Sequence, residues 1–200
     1  MTTASITLRA LLGLSEQPLP LKDAALVMID CQNTYRRGVM QLTGVEAALQ
    51  EARKLLIMAR DLNVPVFHVQ HDAGPGTPYD IRDDIGAIAD AVAPVAGEPV
   101  IVKQYPNAFV QTDLDQRLKA AGIDSIILAG FMTHMCINST AHGGFNLGYK
   151  ATIVASATAT RPLRSTDGNV LTAREVHDAA IASSRDLYAS IADTVDDLRI

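Results

Sequence analysis

The 200-residue chain is predicted to adopt an α/β fold, a doubly wound, mainly parallel six-stranded sheet with helices on both faces in a Rossmann-like arrangement. Three observations predict it. Short apolar runs alternate with amphipathic stretches, most of these runs lack the polar alternation of a half-exposed strand, and no linker, repeat or low-complexity tract interrupts the order. Such alternation specifies parallel strands joined by right-handed crossovers. We therefore expect residues 1–200 to form a single domain.

The predicted strands are short apolar runs bounded by turn residues. The first, from Ala24 to Ile29, is apolar throughout, as expected of a strand buried on both faces. The second contains Pro65 at its entrance, where the missing N–H matters least. The six strands are expected at 24–29, 64–69, 99–102, 125–129, 151–155 and 190–195.

The predicted helices follow from apolar residues at helical spacing. One stripe runs along 45–62, and the helix over 113–121 has Thr112 as its N-cap and Gly122 as its stop. The stretch from His71 to Pro99 is rich in turn residues and has room for one short helix near 84–92. Two longer helices are expected at 134–147, ending at Gly148, and at 172–188.

Composition excludes several classes of protein. The chain is 48% hydrophobic and has two cysteines, which argues against disordered chains and disulfide scaffolds. Its net charge of −5 is spread along the sequence, so no basic stripe exists to bind nucleic acid. The N-terminus does not resemble a signal peptide, and no apolar run approaches the roughly 20 residues that span a bilayer. We expect a cytoplasmic protein with free thiols, no nucleic-acid partner and no membrane partner.

Three reactive side chains follow predicted strands. Asp30 comes after the first strand, Lys103 after the third, and Cys136 opens the helix beyond the fourth. The carboxyl ends of strands in such sheets form the ligand site, so these groups should converge. A helix N-terminus and the Lys103 ammonium would lower the pKa of the Cys136 thiol, and Asp30 would accept its proton. Backbone N–H groups of Met132 and Cys136 would stabilise an oxyanion.

Each of these residues also has a structural interpretation. Cys136 alone could be a small core residue, Asp30 a strand-end cap and Lys103 a solvated edge residue. Their parallel positions at three strand ends favour a shared function. Cys31 has no motif of its own, and we interpret it as a packing residue.

The segment from Gly130 to Ile137, Gly-Phe-Met-Thr-His-Met-Cys-Ile, is the most specific motif. Together with Asp30 and Lys103 it resembles the isochorismatase-like cysteine hydrolases, which include nicotinamidases, N-carbamoylsarcosine amidohydrolases and ureidoacrylate hydrolases. The likeness extends from Ala24 to the C-terminal strand. It implies the isochorismatase-like hydrolase fold, an Asp30–Lys103–Cys136 catalytic triad and a covalent thioester-type intermediate.

The resemblance has further implications. It implies a cis peptide bond between Phe131 and Met132, which turns backbone N–H groups into the oxyanion hole, and a homodimer or homotetramer. Nicotinamidase-like members hold a metal with an Asp-x-His pair after the second strand, but His71 and Ala73 occupy those positions here. We therefore expect no metal and no other cofactor, and nicotinamide becomes a weaker substrate hypothesis.

The function predicted from the sequence is cysteine-dependent hydrolysis of a C–N bond, amide or carbamoyl-type, in a small-molecule substrate. Isochorismatases proper cleave a vinyl ether and do not need the cysteine, so the presence of Cys136 favours C–N cleavage. An isochorismatase-type ether hydrolase and a non-catalytic ligand-binding oligomer remain the alternatives. A nucleotide-binding protein is disfavoured because no Gly-x-Gly-x-x-Gly follows the first strand.

Residues near the predicted active edge are expected to bind the substrate, with ordinary core packing or hydrogen bonding as the alternative for each. These residues are Gln32, Tyr35, His71, Tyr105, Phe109, Thr133 and His134. His68, inside the second strand, is expected to be a hydrogen-bonded core or subunit-interface residue, and His177 to be a surface residue. The stretch 158–161 is expected to pack on the helix that carries Cys136 or on a neighbouring subunit.

Overall fold

The computed structural model describes residues 5–198 and contains the predicted parallel sheet. Its strands are β1 (Ala25–Ile29), β2 (Val66–His71), β3 (Val100–Lys103), β4 (Ser125–Phe131), β5 (Lys150–Ala159), β6 (Leu163–Arg164), β7 (Val170–Leu171) and β8 (Ser190–Ala192). Six of them form one sheet in the order β3-β2-β1-β4-β5-β8, and every neighbouring pair is parallel. β6 and β7 form a separate antiparallel pair. The α/β fold class is confirmed.

Helices cover both faces of the sheet. They are α1 (Leu8–Leu11), α2 (Val45–Asp61), α3 (Leu114–Ala120), α4 (Asn138–Asn146) and α5 (Ala173–Asp186). Alternate residues of β1 belong to two buried apolar clusters: Leu26 packs with α2, whereas Val27 packs with α3 and α4. This is the consequence of period-two side-chain alternation in a strand that is buried throughout.

The local differences from prediction have identifiable causes. The short helix expected near 84–92 is two separate turns, Asp84–Gly86 and Asp90–Val92. The backbone between them pairs with the chain after β1, since the Asn33 N–H donates to Ala87 O at 2.9 Å. Likewise, the N-cap position of α3 is taken by Asp113 and not by Thr112. The Thr112 hydroxyl donates to Ala108 O at 2.5 Å and accepts only a long hydrogen bond, 3.4 Å, from the Leu114 N–H.

Four further differences concern elements that were not predicted or were placed differently. β5 continues to Ala159, and neither α1 nor the β6–β7 pair was expected. The helix predicted to begin at His134 instead starts with a wide π-helical turn, Thr133–Ile137, that leads into α4. In the part of the chain that the structure describes, no helix combines the length and apolar character needed to cross a bilayer.

Candidate active site

The site begins at the end of β1, where Asp30 adopts an unusual backbone conformation. Its φ is +49°, in the left-handed region that non-glycine residues seldom occupy. Beside it, Gly130 has φ +120°, and a Cβ at that position would lie 1.9 Å from Ile29 O. Only glycine allows β4 to pass so close to the end of β1. This close passage brings Asp30 to the segment that carries Cys136.

Asp30, Lys103 and Cys136 meet in the interior. Lys103 Nζ lies 2.7 Å from Asp30 Oδ2 and 3.3 Å from Cys136 Sγ. Asp30 is fully buried, Lys103 is 1% exposed and Cys136 is 5% exposed. The structure therefore places the three reactive residues within contact distance of one another, at the carboxyl edge of the sheet.

Asp30 has little compensation for its burial. Within residues 5–198 its carboxylate has no backbone donor, and its partners are the Lys103 ammonium at 2.7 Å and the Cys136 thiol. Burial raises the pKa of Asp30, and the Lys103 charge offsets only part of that effect. Burial opposes the charged form of Lys103 as well, but Asp30 and then Cys136 outweigh it and raise the pKa of the ammonium. A carboxyl with a raised pKa is suited to accept and return a proton.

Cys136 differs from expectation in its acidity. Burial, followed by the charge of Asp30, raises the pKa of the Cys136 thiol to about 12, although Lys103 acts in the opposite direction. The expectation of a lowered pKa is therefore wrong, because burial outweighs the nearby cation. A raised pKa favours the protonated thiol at neutral pH, and the Asp30 carboxylate is the basic group that lies beside it.

The backbone before Cys136 has the expected geometry. The peptide bond between Phe131 and Met132 is cis. The Met132 carbonyl then accepts hydrogen bonds from the N–H groups of Met135 at 3.0 Å and Ile137 at 3.3 Å. These bonds fold the π-helical turn around Cys136. An oxyanion hole formed by the N–H groups of Met132 and Cys136 stays a prediction.

A cavity of about 180 Å³ opens onto the Cys136 thiol. It is lined by Tyr35, His71, Tyr79, Pro106, Met132, Met135 and Cys136. Tyr79 makes edge contacts with two other lining rings, at 5.8 Å from Tyr35 and 5.1 Å from His71 between ring centroids. A larger groove of about 430 Å³, next to Thr43 and His177, includes none of the three reactive residues.

Sequence analysis missed Tyr79, which lies in the turn-rich stretch after β2. The buried carboxylate of Asp80 holds this stretch by accepting hydrogen bonds from the N–H groups of Gly76 at 2.8 Å and Arg82 at 3.1 Å. The density of turn residues there indicated a loop, but no pattern indicated which side chain would line the cavity.

Of the predicted substrate-binding residues, Tyr35 and His71 line the cavity, and Gln32 does not. The Gln32 amide group donates to His71 O at 3.0 Å and to Gly86 O at 2.7 Å, and its oxygen accepts from the His71 N–H at 2.9 Å. All of its polar atoms are therefore occupied by backbone. Gln32 therefore holds the backbone of His71, and its predicted contact with substrate stays a prediction.

Four other predicted contacts do not line the cavity either. Phe109 stacks on Tyr149 with ring centroids 5.4 Å apart, and Tyr105 is 43% exposed to solvent. Thr133 is buried and bonds Thr158 Oγ1 at 3.0 Å. Phe109 therefore packs against another ring, Tyr105 lies at the surface, and Thr133 supports the π-helical turn.

The fourth, His134, belongs to the same supporting network. Its Nδ1 lies 2.5 Å from Thr160 Oγ1, so the stretch 158–161 packs on the segment that carries Cys136, as expected. His177 also joins this network, at 3.1 Å from Thr133 Oγ1, and is half-buried, which the sequence did not indicate. The Arg161 Nε is buried without a hydrogen-bond partner in residues 5–198, and its charge acts on Tyr79 and His134.

His71, at the position where no metal is expected, contacts Lys103. His71 Nδ1 lies 3.1 Å from Lys103 Nζ. Within residues 5–198, no group of three or more His, Cys, Asp and Glu side chains has an arrangement that could hold a metal ion. His68 lies on β2 as a buried residue whose Nε2 is 2.8 Å from Glu98 Oε2, which agrees with its interpretation as a hydrogen-bonded core residue.

Comparisons with known proteins agree with this geometry. The isochorismatase domain model matches residues 24–196. The isochorismatase family protein YddQ of Bacillus subtilis is 37% identical over 173 residues, which cover 85% of this chain and 96% of that protein. Maleamate amidohydrolase of Pseudomonas putida is 35% identical over 147 residues, 65% of this chain and 69% of its own. The crystal structure of an isochorismatase from Pseudomonas putida aligns with a TM-score of 0.93 and 34% identity, covering 96% of this chain and 99% of that one. The chain therefore belongs to the isochorismatase family of hydrolases.

Proposed function

We propose that this hydrolase cleaves a C–N bond of a small amide or carbamoyl compound, with Cys136 as nucleophile. The observation that carries the proposal is the contact cluster of Asp30, Lys103 and Cys136 at the base of the small cavity. One relative, maleamate amidohydrolase, is named for cleavage of an amide, which supports a C–N bond over an ether.

The first half-reaction begins with a protonated thiol. Asp30 accepts the proton of Cys136 as the sulfur attacks the carbonyl carbon of the substrate, and the carbonyl π electrons move onto the oxygen. Lys103 stays protonated and stabilises the negative charge that the sulfur carries as it loses its proton. The tetrahedral intermediate then expels the amine, which takes the proton from Asp30. Cys136 is left as a thioester.

The second half-reaction uses the same groups, with water as the nucleophile and the Cys136 sulfur as the leaving group. Asp30 takes a proton from a water molecule, whose oxygen attacks the thioester carbonyl. The C–S bond breaks, the sulfur recovers the proton from Asp30, and a carboxylic acid leaves the site. Because Asp30 accepts and returns a proton in each half, a carboxyl whose pKa lies above the ordinary value suits both roles.

The cavity limits the size of the substrate. Its volume of about 180 Å³ is below the roughly 300–1,000 Å³ of typical ligand pockets. Its walls are mainly aromatic rings, a proline and two methionine side chains, with His71 as the most polar wall residue other than the reacting groups. We infer a substrate with few carbon atoms beyond the scissile carbonyl.

The proposal is tested with a panel of short amides, ureas and carbamoyl compounds, measured by ammonia release. The wild-type protein should release ammonia from at least one compound, and the Cys136→Ser variant should not. Ammonia release that persists in the Cys136→Ser variant would contradict a cysteine mechanism. Failure of the wild-type protein on the whole panel, with an isochorismate-type vinyl ether hydrolysed instead, would favour the ether-hydrolase alternative.

A further inference from the structure

His71 is a polar residue of the cavity wall that the proposed mechanism does not use. It ends β2 directly beside Lys103, its register partner on β3. Its Nδ1 lies 3.1 Å from Lys103 Nζ. An ammonium group has donors and no acceptor, so Nδ1 must carry a lone pair at this contact. The imidazole is therefore neutral, with its hydrogen on Nε2.

The surroundings of His71 keep the ring in this form. Burial, and then the charge of Lys103, lowers the pKa of the imidazole, although Asp30 and Asp72 act in the opposite direction. The backbone N–H and carbonyl of His71 are both hydrogen-bonded to the Gln32 amide, and the Tyr79 ring packs against the imidazole at an interplanar angle of 75°. The imidazole is held through its backbone, through Nδ1 and by the Tyr79 ring.

The remaining ring nitrogen has no such partner. Nε2 of His71 makes no hydrogen bond with residues 5–198, and the residue lines the same cavity as Cys136. A donor with a fixed direction and no protein acceptor, in a cavity that is otherwise mostly apolar, is the kind of group that orients a ligand.

We propose that His71 is a specificity-determining residue whose Nε2–H donates a hydrogen bond to a second oxygen of the substrate, beyond the scissile carbonyl. The substrate class is then a short amide with another carbonyl or carboxylate oxygen. This inference rests on the proposed function for its substrate class, but the state of the ring can be measured separately.

The first experiment measures the tautomer. Long-range ¹⁵N–¹H spectra of the labelled protein at pH 7 should show His71 with a protonated Nε2 and an unprotonated Nδ1, and the His71→Asn variant assigns the signals. In the Cys136→Ser variant, 3-oxobutanamide should shift the Nε2 resonance, and butanamide, which lacks the second oxygen, should shift it much less. A protonated Nδ1, an imidazolium, or equal shifts with the two amides would overturn the proposal.

The second experiment separates the two nitrogens by substitution. The Asn side chain can replace the Nδ1 acceptor but not the Nε2 donor, whereas Gln can place an amide N–H near the position of Nε2. Loss of one such hydrogen bond corresponds to about a 3- to 10-fold change in kcat/KM. The preference of the wild type for 3-oxobutanamide over butanamide should fall by that factor in His71→Asn, through KM, and recover in part in His71→Gln.

The two proposals fail in different ways. If neither amide is hydrolysed but the Nε2 resonance still shifts with 3-oxobutanamide, His71 binds the second oxygen and the proposed C–N cleavage loses support. If both amides are hydrolysed at equal rates by the wild type and by His71→Asn, the cysteine mechanism stands and the role of His71 is wrong.

Discussion

Two largely buried carboxylates, those of Glu98 and Asp30, differ in how their charge is compensated. Glu98 accepts two hydrogen bonds of 2.8 Å from Arg60, one of 3.1 Å from the Val95 N–H, and lies 2.8 Å from His68 Nε2. Although burial opposes it, this set of donors lowers the pKa of Glu98 to about 2. Asp30 has the Lys103 ammonium as its principal partner, and burial raises its pKa.

The difference separates a structural carboxylate from one suited to chemistry. Glu98 and its partners connect α2, β2 and the segment before β3. With a pKa of about 2, the Glu98 carboxyl stays ionised near neutral pH. Asp30 is held in a strained backbone conformation with few donors, beside a thiol. Incomplete compensation keeps its protonated and ionised forms closer in free energy, as a proton carrier requires.

The largest expected effect is loss of the thiol. Cys136→Ala should lower kcat/KM for any substrate found in the panel by about a thousandfold or more, because no other group can form the thioester. The melting temperature and circular dichroism spectrum should stay close to those of the wild type. Comparable activity in the folded variant would show that the cysteine is not the nucleophile.

Asp30→Asn should have the next largest effect on turnover. Removal of the proton acceptor is expected to lower kcat by about 100- to 10,000-fold, since the thiol would then have no base beside it. Glu98→Gln is the matched control, because it also replaces a largely buried carboxylate by its amide. Specific activity per folded molecule should be nearly unchanged in Glu98→Gln, and equal losses in the two variants would remove the distinction between the carboxylates.

Glu98→Gln should change the stability of the fold although it hardly changes turnover. Glu98→Gln removes the charge that pairs with Arg60 and His68, and we expect it to lower the free energy of unfolding by about 2 kcal/mol. Urea denaturation at pH 7 measures this loss. No loss would mean that the cluster contributes little to the fold.

The same cluster predicts how stability depends on pH. The carboxyl of Glu98 has a pKa of about 2 in the folded chain against an ordinary 4.5, so the unfolded chain binds its proton first as the pH falls. The stabilisation is complete above about pH 4.5 and is lost between about pH 4.5 and 2, by up to about 3 kcal/mol. Urea titrations across this range should show a steeper loss in the wild type than in Glu98→Gln. Parallel curves would contradict the assignment.

The smallest expected effect on turnover belongs to the second cysteine. Cys31 is buried beside Asp30, and burial, followed by Asp30, raises the pKa of its thiol. Its sulfur points to Ile29 O at 3.9 Å and takes no part in the cavity wall. Cys31→Ala should keep kcat/KM within about twofold, at a stability cost of about 1 kcal/mol. A large loss of activity would assign Cys31 a role that its position does not suggest.

The sheet and the three converging residues could be predicted from the sequence because both depend on regular patterns. Apolar runs specify the strands, and the rule that ligands bind at the carboxyl ends of parallel strands is enough to bring Asp30, Lys103 and Cys136 together. The cavity wall was predicted poorly. Tyr79 was missed and Phe109 was misplaced, because side-chain directions in loops depend on contacts that no periodic pattern encodes.

The acidity of Cys136 was also out of reach of the sequence. A helix start and a nearby lysine predicted a lowered pKa, but the pKa depends on burial depth and on the charge of Asp30. The same holds for His71, whose contact with Lys103 follows from the pairing of β2 with β3. The distance between two side chains on neighbouring strands depends on the register of those strands, which the sequence alone did not provide.

The most direct test of the central claim is capture of the covalent intermediate. The protein is mixed with an amide that it hydrolyses, quenched in acid and digested with trypsin, which places Cys136 in the peptide 120–150 and Cys31 in the peptide 23–36. Mass spectrometry should find the acyl group of the substrate on 120–150 only, and the Cys136→Ser variant should show no thioester there. An acyl group on 23–36, or turnover in the absence of any adduct on Cys136 under single-turnover conditions, would contradict the account.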